Sequence, residues 1–540
     1  MFTGNAALGV LTEVGDVAGM AVSLKTAGGT SPHRTSTWTP QPSGTDTLRR
    51  RPVRELVTII KIFITEPEYF APAMSAGQET WIQRIGQGVA NWSEKWVPSP
   101  FLFAILLTMI AYVAAILFTS DGAFQNITNW YDGFWVLLTF AMQMVLILVT
   151  GYAIADSDLV SGYLERLSSL PDTGSQAAAL VAAVSLVFGY LHWGIGLIVG
   201  AIFAIFVARA GHQRGKTFHY PLLCACGYTS QVIWHVGPST SAGLLSATED
   251  HVFVDVFGVV PLSDSVFTIY AFGIAILTFL TVVPTMYLLA PEEENARGIE
   301  EYAPELVEGA AEEEPMTDGG EGEPTDGEMT PAERLNNSRV IGYTLATGMM
   351  IFVVWFFYTA GGIGAALDLN VFNFTFIALG LYLYGTPNAY MDAIRGATES
   401  AAGIILQFPF YAGILGIIQN SGLSDIISEA LLGVATEATF PVIAWILGGI
   451  MNFFVPSGGG EWGIIGGIVG GTAVDLGVPA GKAIIAYGVG DMWTNMFQPF
   501  WAIPLLGITR MRARDLLGYT LILLAVLAPV FGLGLFLLPY

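Results

Sequence analysis

The sequence predicts an all-α polytopic membrane protein made of two inverted-topology repeats, each with a re-entrant helical hairpin and a broken transmembrane helix. Three observations lead there. Of the 540 residues, 53% are hydrophobic and only 12% charged, about half the charged share of an average soluble domain. Apolar runs long enough to cross a bilayer core of roughly 30 Å occupy Pro100 to Phe118, Gly133 to Ala155, Val266 to Ala290, Val340 to Thr359 and Leu516 to Leu538. Two further stretches, Gln176 to Ala210 and Phe440 to Ala473, are too long for one span and are interrupted by glycine-rich breaks. None of these runs alternates apolar and polar residues as a barrel strand must.

In chain order, residues 1–73 are rich in Thr, Ser, Pro and Gly, carry Arg49, Arg50 and Arg51, and lack the order of a signal peptide. They are expected to be disordered, or a gene-prediction artefact upstream of a true start at Met74. Finding a peptide from residues 1–60 in the mature protein would overturn the second option. Residues 74–98 form an expected amphipathic interfacial helix, with Ile82, Ile85, Val89 and Trp92 at helical spacing beside Gln83, Arg84, Gln87 and Lys95. Residues 99–290 make the first membrane repeat.

Between residues 74 and 540 there are only 14 Lys or Arg, so each bears on topology under the positive-inside rule. Arg84 and Lys95 place the start of this region inside. Two spans then return the chain to an inside loop at Arg166. If Gln176 to Ala210 crossed once, Arg209, Arg214 and Lys216 would lie outside; a hairpin interrupted at Gly189, Gly194 and Gly196 keeps them inside. Residues 291–337 are the expected acidic, disordered cytoplasmic linker: positions 291–335 hold 16 Asp or Glu against two Arg. The second repeat, 338–540, starts inside at Arg334 and Arg339. Its interrupted stretch, with Pro456 to Gly460 at its middle, therefore begins outside and dips from the opposite face.

The two halves resemble each other weakly: Gln143 aligns with Gln407, Trp193 with Trp462 and Trp234 with Trp493, at offsets of 264, 269 and 259. Opposite orientation of matching elements is common in secondary transporters.

Non-helical backbone at membrane depth is tolerated only where protein buries it or it lines a cavity, so the breaks mark the expected site. They are Gly189 to Gly196, Val236 to Gly243, Pro456 to Gly463 and Gly488 to Phe500. Helix N-termini at opposed tips present free N–H groups and positive dipole to an anion without a buried cation. The candidate substrate ligands are Ser457, Gly458, Gly459, Thr494, Asn495, Ser239, Thr240, Ser241, His192 and Gln407. Ionisable groups within membrane segments are functional candidates by default, and Glu461 and Asp491 are the expected ion-coupling pair; His192 and His235 are further ionisable groups there, with Lys482 nearer an interface. No metal site is expected, since His192, His235, Cys224 and Cys226 lack ligand spacing. Without a G-x-S-x-G, Walker or H-E-x-x-H pattern, neither an enzyme nor nucleotide-driven transport is expected, and no cofactor beyond a coupling Na⁺ or H⁺. A net charge of −23 suggests no nucleic-acid partner; the expected partners are a small carboxylate substrate and the lipid bilayer.

From Met74 onward the chain resembles the short-chain fatty acid transporter family, within the ion-transporter superfamily. The strings that carry the resemblance are VPSPFLFAILLT, WYDGFWVLLTFAMQMVLILVTGYAIA, HWGIGLIVGA, PAERLNNSR, LQFPFYAGI, NFFVPSGGGEWG and DMWTNMFQPFWA. The resemblance implies gradient-driven uptake of butyrate- or acetoacetate-like monocarboxylates at the cell membrane, elevator-type alternating access, and a homodimer. Two positions depart from the family pattern, which usually has His where this chain has Glu461 and Asn where it has His192. The alternative is a carrier of another organic anion, a di- or tricarboxylate, against which the shortage of cations near the tips argues.

Overall fold

The computed structural model describes residues 99–308, 329–498 and 501–540. The expectations for residues 1–73 and for the interfacial helix at 74–98 lie outside the described residues. Among the described residues the fold is helical, and eight helices are long and apolar enough to cross a membrane.

Helices α1 (Pro100–Phe118), α2 (Ala123–Gly133), α3 (Leu138–Ala155) and α4 (Asp158–Ser168) precede the first interrupted stretch. That stretch is two helices, α5 (Gly174–Leu191) and α6 (Trp193–Gln213), meeting at an extended His192. The feet of the two helices lie side by side: Arg214 at the end of α6 donates to the Ser169 and Pro171 carbonyls, both at 2.9 Å, just before α5. Lys216 reaches Asp172 at 2.7 Å, and its hydrogen bond and charge hold the Asp172 carboxyl below the usual carboxylate range. The stretch therefore enters and leaves at one end, as the cation distribution predicts. The legs cross closely because neither has a side chain at the contact: a Cβ on Gly196 would stand 2.5 Å from Gly189 Cα.

Next come α7 (Tyr220–Tyr228), two 3₁₀ turns across Thr229–Val232 and Trp234–Val236, and α8 (Ser241–Ala247), which together make one broken helix. Helix α9 (Ile269–Leu288) closes this half. The second half contains α10 (Arg339–Thr359), α11 (Leu369–Tyr384), α12 (Pro387–Thr398), α13 (Ala402–Asn420) and α14 (Leu423–Leu432). A second hairpin follows, α15 (Phe440–Phe454) and α16 (Gly458–Asp475), separated by Val455 to Ser457. Helix α17 (Ala480–Thr494) then ends in a 3₁₀ turn at Asn495–Phe497, before α18 (Ile503–Thr509) and α19 (Ala513–Leu537).

Burial separates the helices that face lipid from those that hold the site. The α1 span is 17% buried and that of α10 also 17%, whereas 78% of α6 is covered by protein. The outer faces of α1 and α10 carry exposed Met109, Ile110, Leu117, Val340 and Ile351, which suit contact with acyl chains. The hairpins and broken helices, whose unpaired backbone groups lipid could not satisfy, occupy the covered interior.

The linker departs from expectation. Residues 291–308 are not a solvated coil: short helices at Ile299–Tyr302 and Pro304–Glu308 bury Ile299, Ala303 and Leu306. The Arg297 carbonyl accepts from Tyr220 N at 2.9 Å, Arg297 N donates to His219 Nδ1 at 3.1 Å, and Arg209 Nε donates to the Leu306 carbonyl. Acidic composition averaged over the whole linker hides an apolar face of three residues at helical spacing. Ile299→Glu should free this strap, since a charge buried without a partner costs several kcal/mol. The expected outcome is at least tenfold faster amide exchange over 299–308, with the membrane helices unchanged.

Candidate substrate and coupling site

Both hairpin breaks are made by a residue that caps the helix it starts. At the first, His192 Nδ1 accepts from Gly194 N and Ile195 N at 3.1 and 3.3 Å. Its ring packs on Phe376 and Phe372 of α11, with centroids 4.5 and 5.4 Å away, and its Nε2 has no partner. At the second, Ser457 Oγ accepts from Gly460 N at 3.2 Å, which leaves the hydroxyl proton free to donate. The first-turn N–H groups of Gly458 and Gly459 have no intrahelical acceptor by the geometry of a helix start.

The second tip lies against the unwound part of the first half. A Cβ on Gly458 would stand 2.5 Å from His235 Nε2 and from the Trp234 ring edge, and 2.9 Å from Asp491 Oδ2. One on Gly459 would be 3.4 Å from Ser241 Cβ, and one on Gly460 would be 2.6 Å from the Tyr411 ring. Gln407, a turn before Tyr411, accepts from its hydroxyl at 3.0 Å. The two breaks, the unwound segment 229–240 and the end of α17 thus converge.

The predicted hydroxyl and amide ligands divide by what they already bond. Ser239 Oγ accepts from Trp193 N at 3.0 Å and so ties the first tip to the broken helix. Thr240 Oγ1 is 2.9 Å from His235 Nδ1 and also caps α8. Ser241 Oγ is buried without a partner. Thr494 and Asn495 are held in a network centred on Asn452, whose Nδ2 donates to Asp491 O, Thr494 Oγ1 and Asn495 Oδ1 at 2.9, 3.0 and 2.9 Å. Asn495 Nδ2 crosses to the first half at Gln231 O, 3.3 Å away. Sequence reasoning missed Asn452, which reads there as one polar residue in an apolar helix; its signal was its place one turn before the break.

Glu461 and Asp491 are 0% and 1% exposed. Asp491 Oδ1 lies 3.4 Å from His235 Nε2, while Asp491 Oδ2 and both Glu461 oxygens have no hydrogen-bond partner. Glu461 interacts electrostatically with Asp491 and with the Tyr487 hydroxyl. Lys482 is engaged elsewhere, 5.1 Å above the Tyr270 ring. The two neighbouring buried carboxyls have the His235 imidazole beside them. Chemically this is an acceptor of positive charge beside a set of neutral donors. Among the described residues no group of three or more His, Cys, Asp or Glu is arranged to hold a metal ion.

Against known proteins, the family model described as short chain fatty acid transporter matches residues 81–538. A relative in Escherichia coli (strain K12), named as a candidate short-chain fatty acid transporter, is 37% identical over 456 residues, covering 84% of this chain and 99% of its own. One of the same name in Haemophilus influenzae (strain ATCC 51907 / DSM 11121 / KW20 / Rd) is 35% identical over 464 residues, covering 85% and 100%. Among solved structures, the Alcanivorax borkumensis YdaH transporter, described as having an unusual topology, shares the fold with a TM-score of 0.50 at 16% identity, covering 81% of this chain and 97% of its own.

Proposed function

Because the chain belongs to the short-chain fatty acid transporter family and is a multi-pass membrane protein, we propose that it is a secondary active transporter of butyrate- or acetoacetate-like monocarboxylates. Transport is driven by a Na⁺ or H⁺ gradient, with Glu461 and Asp491 taking the coupling cation. The observation that carries this reading is the contact of the second hairpin tip with His235 and Asp491, which sets helix N-termini and neutral donors beside a buried acid pair. A cation on the acids lowers the cost of bringing an anion to the tips, so the two are taken up together.

The two halves act as inverted repeats, and the hairpins with the broken helices move as one body in an elevator-type exchange within a homodimer. The same order of hairpin, short helix and unwound segment in each half supports this. The test is uptake of labelled butyrate and acetoacetate into proteoliposomes under imposed Na⁺ or proton gradients. Saturable accumulation driven by one of them is expected, and its identity names the ion. No accumulation of either acid under either gradient would overturn the reading in favour of another organic anion, to be sought first among dicarboxylates.

A further inference from the structure

We propose that Trp193 and Trp234 hold the substrate carboxylate through their indole N–H groups, where the first hairpin tip, the unwound segment and the second tip meet. This rests on the carboxylate reading above and adds to it the groups that grip the anion.

The two rings are 3% and 5% exposed, and among the described residues neither Nε1 has an acceptor. Buried N–H groups are ordinarily satisfied, as at Trp462, whose Nε1 donates to Ser246 Oγ at 3.2 Å, and at part-buried Trp493, whose Nε1 donates to Leu524 O at 2.8 Å. Trp130 and Trp445 also lack an acceptor, but they stand within α2 and α15, back from any break. Trp193 is the first residue of α6, and Trp234 lies in the unwound segment.

Their placement joins both tips. The ring centroids are 6.1 Å apart, the Trp193 backbone is fastened to Ser239, and the edge of Trp234 meets Gly458. Two neutral donors beside the first-turn N–H groups of Gly458 and Gly459 suit one carboxylate. A second carboxylate on the same molecule would meet Asp491 and the His235 already paired with it, which lie against the second tip. The Trp234 ring lies tilted against that histidine, with centroids 3.6 Å apart and 34° between the ring planes. Its orientation is therefore tied to the acid pair, and loading of the acids is transmitted to an anion donor. The indole faces, with Trp501 centred 5.5 Å from Trp193, give an acyl chain of a few carbons an aromatic wall.

The experiment is an indole ¹⁵N–¹H spectrum of the full chain, labelled at its 13 tryptophans, in lipid nanodiscs. It is titrated with butyrate, with butyramide and with succinate, and resonances are assigned by Trp193→Phe, Trp234→Phe and Trp493→Phe. Two indole protons, those of Trp193 and Trp234, should move downfield with butyrate and not with butyramide, while Trp493 stays fixed. In proteoliposomes Trp193→Phe and Trp234→Phe should each raise the butyrate KM about tenfold or more, the worth of one charge-assisted hydrogen bond. Trp493→Phe, which removes the hydrogen bond to the Leu524 carbonyl, should lower thermal stability. Indole protons unmoved by every carboxylate, or unchanged KM in both site variants, would overturn the proposal. A shift with succinate alone would support the indole site and overturn the monocarboxylate reading. If a variant fails to fold, the wild-type titration decides: two carboxylate-sensitive indoles support the assignment, none overturns it.

Discussion

Asp491→Asn is expected to abolish gradient-driven uptake, lowering its initial rate about a hundredfold, while leaving the protein folded and able to exchange substrate across the membrane. The substitution is isosteric. An Asn at this position can still accept from Asn495 Nδ2, which lies 3.4 Å from Asp491 Oδ1, and the backbone carbonyl still accepts from Asn452. What it removes is the charge facing His235 and Glu461. Because the substitution keeps the side chain's shape and these hydrogen bonds, the loss falls on ion coupling rather than on the fold. The check compares gradient-driven accumulation with counterflow of labelled butyrate at equal ion concentrations. If counterflow fell by the same factor as accumulation, Asp491 would be acting on substrate binding and the coupling assignment would be wrong.

Gly458→Ala should be nearly as damaging, for a steric reason. The added methyl would stand 2.5 Å from both His235 Nε2 and the Trp234 ring and 2.9 Å from Asp491 Oδ2, closer than any real Cβ contact. Overpacking of this kind typically costs about 1–3 kcal/mol, and the strain falls on the residues that join tip, histidine and acid. Uptake should drop at least tenfold in both maximal rate and apparent ion affinity. Gly348→Ala on α10, where a Cβ meets nothing within 4 Å, should be neutral in uptake and raise thermal stability slightly, as Ala is the better helix former. Equal effects of the two substitutions would remove the argument that the second tip must close on His235.

The architecture was largely legible because the bilayer imposes length and composition on every span, and because the few cations report which ends lie together. The hairpin feet joined by Arg214 and Lys216 are the physical form of the charge pattern that predicted them. The breaks were legible as glycine clusters, since only helices without side chains at the contact can cross as α5 and α6 do. Side-chain roles were less legible. Ser239 and Thr240 read as substrate donors, and what the sequence does not show is that Ser239 also accepts from Trp193 N and that Thr240 lies 2.9 Å from His235 Nδ1. Trp193 and Trp234 read as marks of internal repetition, although what sets them apart is that their N–H groups lack an acceptor among the described residues and stand at the breaks. A sequence shows that an indole is present; whether its N–H has an acceptor depends on partners hundreds of residues away. The strap at 299–308 was obscured for the opposite reason, since three apolar residues carry little weight in a strongly acidic window.

That strap also sets the leash between the two halves. With the chain pinned to α6 and α7 as far as Leu306, the covalent connection runs only from Glu308 to Met329. Its greatest reach is about 70 Å at some 3.4 Å per residue, roughly twice the thickness of a bilayer core. The contacts described here that join the two halves are made outside residues 309–328, so the halves, expressed as separate polypeptides cut there, should keep every one of them.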